Sequence, residues 1–515
     1  MKNTENSVKK MTLTVIIMAL ATVCAKLLGL VRDVLSASAY GTGTEAIAYE
    51  TASRLPIMLF DFVIGGVVTA AFIPIFSELL VKNGKNKAME FASDYFNLVF
   101  FITLGISVVG EAFAPALVAF LAPDIPEAAA LLAVPLTRIM FPMVIFAGTA
   151  FCFVGILQCM GHFRLPSIIS LFSNGAIVCY LLFFEERFGV YGLAFAMLVG
   201  WGLQALVQLP TAIKLGYKPR LKLAFLTPEV KGAARAFLPL LVASWLLPVL
   251  SVINTRFASG IEAGRAVTAV GYANRFYIII VGVFSFIATN LLFPKLSRAS
   301  AGGDGEGAKR LTASSMKLLL YVVLPVAAGC FALSYPIIEF IFVGGDFTSD
   351  DARLTAEALK WFCLGMPAMA VNEVLQKLFF SRKQTVAPML TSLICCAIDV
   401  LLVAMLSSAF GIAGIAASSG CVITVCAILN YVIDSKNGSP LFTLADVADL
   451  LTSALFSVLC GLCAHFSYAY LVSLMPSFAA LGISVVCGVG VWGILTLIFP
   501  QREIAALMGR GKNEK

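Results

Sequence analysis

The feature that most constrains this chain is a succession of apolar runs, each about twenty residues long, separated by short polar breaks. A helix of that length crosses the hydrocarbon core of a bilayer. A segment in lipid must satisfy its own backbone hydrogen bonds, which favours helices. About fourteen such runs can be counted, one of them centred near Val242. The sequence therefore predicts an all-α integral membrane protein with about 14 transmembrane helices.

Composition argues against the main soluble classes. Hydrophobic residues make up 60% of the chain and charged residues 13%, whereas a soluble domain carries about 25% charged residues. A net charge of +7 would suggest nucleic acid in a soluble protein, but most of the 36 basic residues lie in short connections, where they orient the chain. We therefore expect no nucleic-acid partner. Polar breaks this short hold no soluble catalytic domain, so we also expect no enzyme activity.

The distribution of Lys and Arg predicts how the chain is oriented. Basic connections such as Lys82–Lys87 and Lys214–Arg220 alternate with acidic ones such as Asp346–Asp351. The positive-inside rule places the basic connections in the cytoplasm. Both termini, including a tail over 501–515, are then predicted to be cytoplasmic in a multi-pass protein.

An internal repeat is the second signal of organisation. Arg54 matches Arg275 at an offset of 221, while Pro166 matches Pro388 and Gly189 matches Gly411 at an offset of 222. A nearly constant offset indicates duplication of a six-helix unit, and an even number of helices gives both copies the same orientation. We predict two parallel six-helix lobes around a central cavity plus a terminal helix pair, with limits at 1–222, 223–440 and 441–500, followed by the tail.

Charged residues inside the predicted spans suggest a binding site. A central Arg costs about 2.5 to 3.5 kcal/mol on insertion scales, so it needs a partner, a polar cavity or an interface to which it snorkels. Arg32 and Arg256 are related by a similar offset, 224. With Arg54 and Arg275, we interpret them as two symmetry-related pairs. Because Arg binds phosphate bidentately, the pattern predicts an anionic substrate such as a diphosphate.

Two acidic residues suggest further roles. Asp33 is adjacent to Arg32 and is interpreted as its counter-ion. Asp399 lies deep in the predicted eleventh helix without a basic neighbour in the sequence. It is either a site for proton or cation coupling, with Asn254 as a co-ligand, or a hydrogen-bonded neutral carboxyl.

Several segments resemble those of a known family. These are the run Lys26–Asp33, the tetrapeptide Tyr40–Gly43, the tripeptide Arg54–Pro56 and the segment Tyr272–Arg275. They are similar to signature segments of the MurJ (MviN) lipid II flippases of the MOP exporter superfamily, and the likeness covers roughly the first 400 residues. The helix count also fits this family better than the related drug exporters.

The resemblance implies a function in peptidoglycan biosynthesis and cell shape. Members export undecaprenyl-diphosphate-linked lipid II from the inner to the outer leaflet of the bacterial inner membrane by alternating access. The implied partners are lipid II, membrane lipids and cell-wall synthesis proteins; the implied form is a monomer. No cofactor is implied beyond Na⁺ or H⁺ as a coupling ion. The resemblance implies Lys26, Arg32, Asp33, Glu45 and Arg275 as substrate-binding residues, and the repeat adds Arg54 and Arg256 to this set.

The chain departs from the family pattern in ways that leave alternatives open. Phe60 stands where many members have Arg, and Cys395 stands where sodium-binding members have Asn. The alternatives are a flippase for another polyprenyl-linked oligosaccharide and a drug exporter of the same superfamily. Drug exporters rely on intramembrane carboxylates, whereas the repeated arginines here favour an anionic substrate.

Overall fold

A computed structural model describes residues 2–63, 67–220, 227–232, 245–287, 292, 296, 305–382, 384–436 and 441–500. Within these ranges, it describes the backbone without the side chains at residues 2–20, 63, 67–71 and 283–287. The predicted helix near Val242, the predicted limit at 222 and the tail 501–515 lie outside the described residues.

The regular elements of the described residues are helices, apart from one isolated bridge between Gly344 and Phe347. Eight helical segments in this part of the chain are long and apolar enough to cross a bilayer. The longest, Val386–Lys436, has 51 residues, more than twice the roughly twenty that one span needs. The predicted all-α membrane fold is confirmed.

The chain forms two compact units, Met1–Pro248 with Ala263–Val267, and Val249–Glu262 with Thr268–Lys515. Nine helices of the first unit are α1 (Lys2–Tyr40), α2 (Thr44–Val63), α3 (Val67–Lys82), α4 (Gly84–Ala112), α5 (Ala114–Leu121), α6 (Glu127–Met140), α7 (Met143–Cys159), α8 (Arg164–Phe183) and α9 (Glu185–Lys214). The second unit contains the remaining helices, except that the first residues of α10 and α11 belong to the first unit. These helices are α10 (Leu246–Ala258), α11 (Arg265–Ile287), α12 (Gly305–Ala332), α13 (Ser334–Phe342), α14 (Ser349–Leu364), α15 (Met366–Ser381), α16 (Val386–Lys436), α17 (Leu444–Leu471) and α18 (Ser477–Ile498). The domain limits drawn from the sequence stay a prediction.

The bounds of the helices recur at the offset found in the sequence. Helices α4 and α12 begin at Gly84 and Gly305, which reproduces the offset between Arg54 and Arg275. The pair α8 and α9 spans 164–214, and α16 spans 386–436, so both ends reproduce the offset between Gly189 and Gly411. The repeat is therefore present in the bounds of the helices as well as in the matched residues.

A glycine interrupts the helical backbone at the same place in each copy. Gly189, in α9, has φ 53° and ψ −150°, and Gly411, in α16, has φ 57° and ψ −130°. Only glycine adopts this region readily, because a Cβ atom would clash with the backbone. Three residues beyond the second break, a Cβ on Gly414 would overlap the carbonyl of Leu406. The breaks allow one continuous segment to supply two successive spans.

We predict that Gly411→Ala destabilises the protein by about 1 to 3 kcal/mol through backbone strain. No atom lies within 4 Å of the position a Cβ would take at Gly411, so side-chain crowding makes no contribution. The matched control is Gly490→Ala in α18, which also has no neighbour within 4 Å. The midpoint of thermal unfolding in detergent should fall for Gly411→Ala alone; equal midpoints for the two variants would contradict the assignment of strain.

Candidate substrate-binding site

Arg32 is held by side chains from two helices. Its Nε and Nη2 groups donate to Oδ1 of Asp33 at 3.0 and 2.8 Å, and its Nη1 donates to Oδ1 of Asn174 at 3.0 Å. The Arg32 side chain is 25% exposed, whereas that of Asp33 is 5% exposed. The structure thus places the predicted counter-ion beside Arg32 and fixes the guanidinium group in one orientation while leaving part of it accessible.

Asn174, on α8, joins that helix to α1 at this point. Its Nδ2 donates to the carbonyl oxygen of Ala25 at 3.1 Å, while its Oδ1 accepts from Arg32. A Cβ at Gly29 would lie 3.4 Å from Nδ2 of Asn174, so the absence of a side chain there leaves room for the amide. A single side chain therefore links the packing of α1 against α8 to the position of the cation.

Arg54 is held within its own helix, α2. Its Nε and Nη2 donate to Oε1 of Glu50 at 3.0 and 2.7 Å, one helical turn away. The two side chains are 15% and 4% exposed, so the ion pair is largely buried. Burial strengthens the attraction between the charges and makes the loss of either partner expensive.

The other predicted residues of the first unit lie at different depths. Lys26 is partly buried on α1, six residues before Arg32. Glu45 is exposed in the first turn of α2. The structure brings Arg32 together with Asp33, whereas Lys26 and Glu45 take no part in the hydrogen bonds that hold the Arg32 side chain among the described residues.

The two predicted arginines of the second unit differ in their surroundings. Arg256 is exposed at the end of α10, two residues before the helix ends at Ala258. Arg32 lies eight residues before α1 ends at Tyr40, so the helix ends do not support the equivalence of Arg32 and Arg256 drawn from their offset in the sequence. Arg275 is partly buried on α11, with its guanidinium carbon 5.8 Å from the ring centre of Tyr272. That spacing corresponds to a cation–π contact.

Asp399 and Asn254 form a separate polar region of the second unit. Asp399 is fully buried, and neither of its carboxylate oxygens has a hydrogen-bond partner among the described residues. Asn254 donates from Nδ2 to Oγ of Ser419 at 2.8 Å, while its Oδ1 has no partner in that set. The nearby hydroxyl of Ser418 donates to the carbonyl of Ile415 at 2.8 Å. Three acceptor oxygens here, two of Asp399 and one of Asn254, thus have no donor in the described set, a pattern suited to a proton or a cation.

Two partners of the arginines were not assigned from the sequence. Glu50 precedes Arg54 by four residues, and that spacing on a helix is a known signal for an ion pair. Asn174 is 142 residues from Arg32, and no sequence pattern indicates their contact.

The arrangement favours binding over bond-breaking chemistry. A guanidinium group oriented by Asp33 and Asn174 can bind a phosphate or diphosphate group. Within the described part of the chain, no group of three or more His, Cys, Asp or Glu side chains is arranged to hold a metal ion. The site is therefore suited to holding an anion.

Comparison with known proteins agrees with this chemistry. The sequence model of a family described as "Lipid II flippase MurJ" matches residues 36–488. A curated relative named "Probable lipid II flippase MurJ", from Bdellovibrio bacteriovorus, is 28% identical over 82% of this chain and 81% of its own length.

Two solved structures share the fold. One, described as lipid II flippase MurJ in an inward closed conformation, matches with a TM-score of 0.79 at 23% identity, over 94% of this chain and 98% of the other. A multidrug resistance MATE family transporter of the MOP superfamily matches with a TM-score of 0.64 at 15% identity, over 82% of this chain and 97% of the other. The same fold thus occurs in a lipid II flippase and in a multidrug resistance transporter. The sequence match over residues 36–488 is what distinguishes between these two families for this chain.

We predict that Glu50→Ala lowers the free energy of unfolding by about 3 to 5 kcal/mol, because it removes the carboxylate that is paired with a largely buried guanidinium group. Glu78→Ala is the matched control, since Glu78 and Lys82 form an ion pair with the same spacing at an exposed position. Thermal unfolding in detergent should show a large loss for Glu50→Ala and almost none for Glu78→Ala. Similar losses would mean that burial of the Arg54 pair is not what stabilises α2.

Proposed function

The chain belongs to the MurJ family of lipid II flippases, and we propose that it carries lipid II from the inner to the outer leaflet by alternating access with its diphosphate bound to Arg32. It is a multi-pass membrane transporter of the MOP superfamily that serves peptidoglycan synthesis, and it is not an enzyme.

The observation that carries this proposal is the geometry of Arg32. A guanidinium group has about five N–H donors, and the bonds to Asp33 and Asn174 use three of them. Two N–H groups remain on a side chain that is 25% exposed. Two donors on a planar group match two oxygens of a phosphate. Arg32 is thus oriented in advance, so little rotamer entropy is lost when the ligand binds.

Arg54 and Arg275 stay predicted members of the substrate-binding set. Lys26, Glu45 and Arg256 complete the predicted set, with Glu45 and Asp33 interacting with polar parts of the headgroup or orienting the cations. The polyprenyl tail stays in lipid, because each CH₂ kept out of water contributes about 0.8 kcal/mol. Only the headgroup then needs a polar path.

We infer that the membrane potential assists export. The proposed orientation has both termini in the cytoplasm of a bacterial inner membrane, as the distribution of basic connections supports. Moving a negative charge outward across an inside-negative membrane is favourable by about 2.3 kcal/mol per charge per 100 mV.

Coupling to a cation is assigned to Asp399, with Asn254 and Ser419 nearby in the same unit. A buried carboxylate without a hydrogen-bond donor is unfavourable unless it takes up a proton or binds a cation. Na⁺ and H⁺ are both candidates. The thiol of Cys395, one turn before Asp399, is a poor ligand for a hard cation that prefers oxygen, which favours the proton.

A single chain carries both copies of the repeat, which supports action as a monomer. The proposed partners are the lipid-linked substrate itself and, among proteins, the cell-wall enzymes that supply and consume it.

We predict that Arg32→Ala lowers lipid II export by about tenfold or more, since it removes charge-assisted hydrogen bonds to the diphosphate. Asn174→Ala, which keeps the charge but releases its orientation, should lower export to an intermediate level. Arg187→Ala removes an exposed arginine of the same unit and is the control. External lipid II would be measured in flippase-depleted bacteria that express each variant at equal levels. Full export by Arg32→Ala would rule out the proposed phosphate contact.

We predict that Asp399→Asn abolishes the dependence of export on the transmembrane proton gradient, because the amide neither gains nor loses a proton. Asp350→Asn, at a side chain that is 78% exposed, is the control. Export in inside-out vesicles would be compared with and without an ionophore that collapses the pH gradient. A variant that responds like the unmodified protein would exclude Asp399 as the coupling group.

A further inference from the structure

The second unit contains a cavity of about 970 Å³ between α12, α14 and α17. Its size lies near the top of the range for ligand pockets, roughly 300–1,000 Å³. Most of its wall is apolar and includes Leu324, Phe331, Val458 and Leu462. None of the predicted substrate-binding or coupling residues lines it. The transport site does not account for this cavity.

The cavity is polar towards one end. Tyr335, Arg353 and His465 line it close to the helix ends around the connection 343–348. From Arg353 at the polar end, Lys360 lies seven residues further along α14, a distance of about 10 Å. From His465 at the same end, Ala454 lies eleven residues back along α17, a distance of about 16 Å. A ligand that fills this space has a polar end and an apolar length.

Lys360 provides a cation inside this apolar space. Its ammonium nitrogen lies 5.3 Å from the ring centre of Phe331, and it makes no ion pair with the residues that the structure describes. Glu357, the acidic residue of the cavity, accepts a hydrogen bond from Nε1 of Trp361 at 2.8 Å. Because a cation within a span needs an anionic partner or a polar path, Lys360 is placed to receive an anion.

Arg353 adds positive charge at the polar end. Its contact with Asp350 is 3.6 Å long, and the two side chains are 71% and 78% exposed. An ion pair this exposed is weak and can be exchanged for another partner. Among the side chains that line the cavity, Arg353 and Lys360 are basic and Glu357 is acidic, while Tyr335 donates a hydrogen bond to Glu339, outside the lining, at 2.8 Å.

We propose that this cavity binds an anionic glycerophospholipid of the surrounding bilayer. The phosphodiester contacts Lys360, the headgroup lies towards Arg353 and His465, and one acyl chain follows the apolar wall along α12 and α17. Charge complementarity supports an anionic lipid. Leu462, in that wall, is 47% exposed, and Leu455, on the same helix outside the lining, is 57% exposed, so α17 presents apolar side chains to its surroundings beside the cavity. The proposed orientation of the chain places the site in the outer leaflet.

Native mass spectrometry of the full chain in detergent tests this site. Titration with phosphatidylglycerol should show this lipid bound to the protein, and phosphatidylethanolamine should displace it poorly. Lys360→Ala should weaken phosphatidylglycerol binding by about tenfold, as expected for the loss of one charge-assisted contact. Ala454→Trp, which fills the apolar end and leaves the charges, should weaken it as well. Arg310→Ala removes an exposed charge of α12 outside the cavity and should bind like the unmodified protein.

Two results would overturn the proposal. One is equal binding of phosphatidylglycerol by Lys360→Ala and Arg310→Ala. The other is displacement of phosphatidylglycerol by undecaprenyl phosphate at lower concentration, which would make the cavity a site for the transported lipid class. Binding is measured without transport, so either result leaves the proposed export function untouched. Arg32→Ala, which should lower export, is expected to bind phosphatidylglycerol normally.

Discussion

The structure depends on the free energy of placing a guanidinium group inside a membrane-spanning helix. Hydrocarbon offers no hydrogen bonds, so the protein must supply them. Arg32 donates to acceptor oxygens of Asp33 and Asn174, and Arg54 donates to Glu50. Because Asn174 belongs to α8, satisfying the charge on α1 also fixes how these two helices pack. The hydrogen bonds of Asn174 therefore stabilise both the charge of Arg32 and the packing of the two helices.

The two copies of the repeat share their backbone and differ in their chemistry. Gly189 and Gly411 hold the same unusual conformation at equivalent places in the two copies, since no other residue type takes it at low cost. Side chains have been free to diverge. The first unit has arginines paired with carboxylates, whereas the second has a buried acid, Asp399, without a donor among the described residues. One duplicated scaffold thus offers sites of opposite charge preference.

The sequence predicted most of the fold because the bilayer imposes one length scale and one type of element. The apolar runs predicted the helices, and the offset of the repeat matched Gly189 with Gly411, the two positions at which the structure shows a break in the helical backbone. Adjacency in the chain was enough to pair Asp33 with Arg32. The spacing of Glu50 and Arg54, four residues apart on one helix, also contains the information for their ion pair.

Contacts between distant segments could not be predicted in this way. Asn174 and Arg32 meet only because α1 packs against α8. The offset of 224 between Arg32 and Arg256 suggested that they are equivalent positions of the repeat. The two residues nevertheless lie at different distances from the ends of their helices. The cavity beside Lys360 is lined by side chains from α12 to α15 and, about a hundred residues further along the chain, from α17, so no local pattern reveals it.

The pairing of each arginine with its own carboxylate affects the energetics of the transport cycle. Arg32 with Asp33, and Arg54 with Glu50, each form a pair whose charges cancel. When the empty protein changes conformation, these pairs carry no net charge through the electric field. Once a diphosphate lipid is bound, the charge of the cargo is what the field acts on. For these residues, voltage performs work on the loaded half-cycle and leaves the return of the vacant carrier electrically silent.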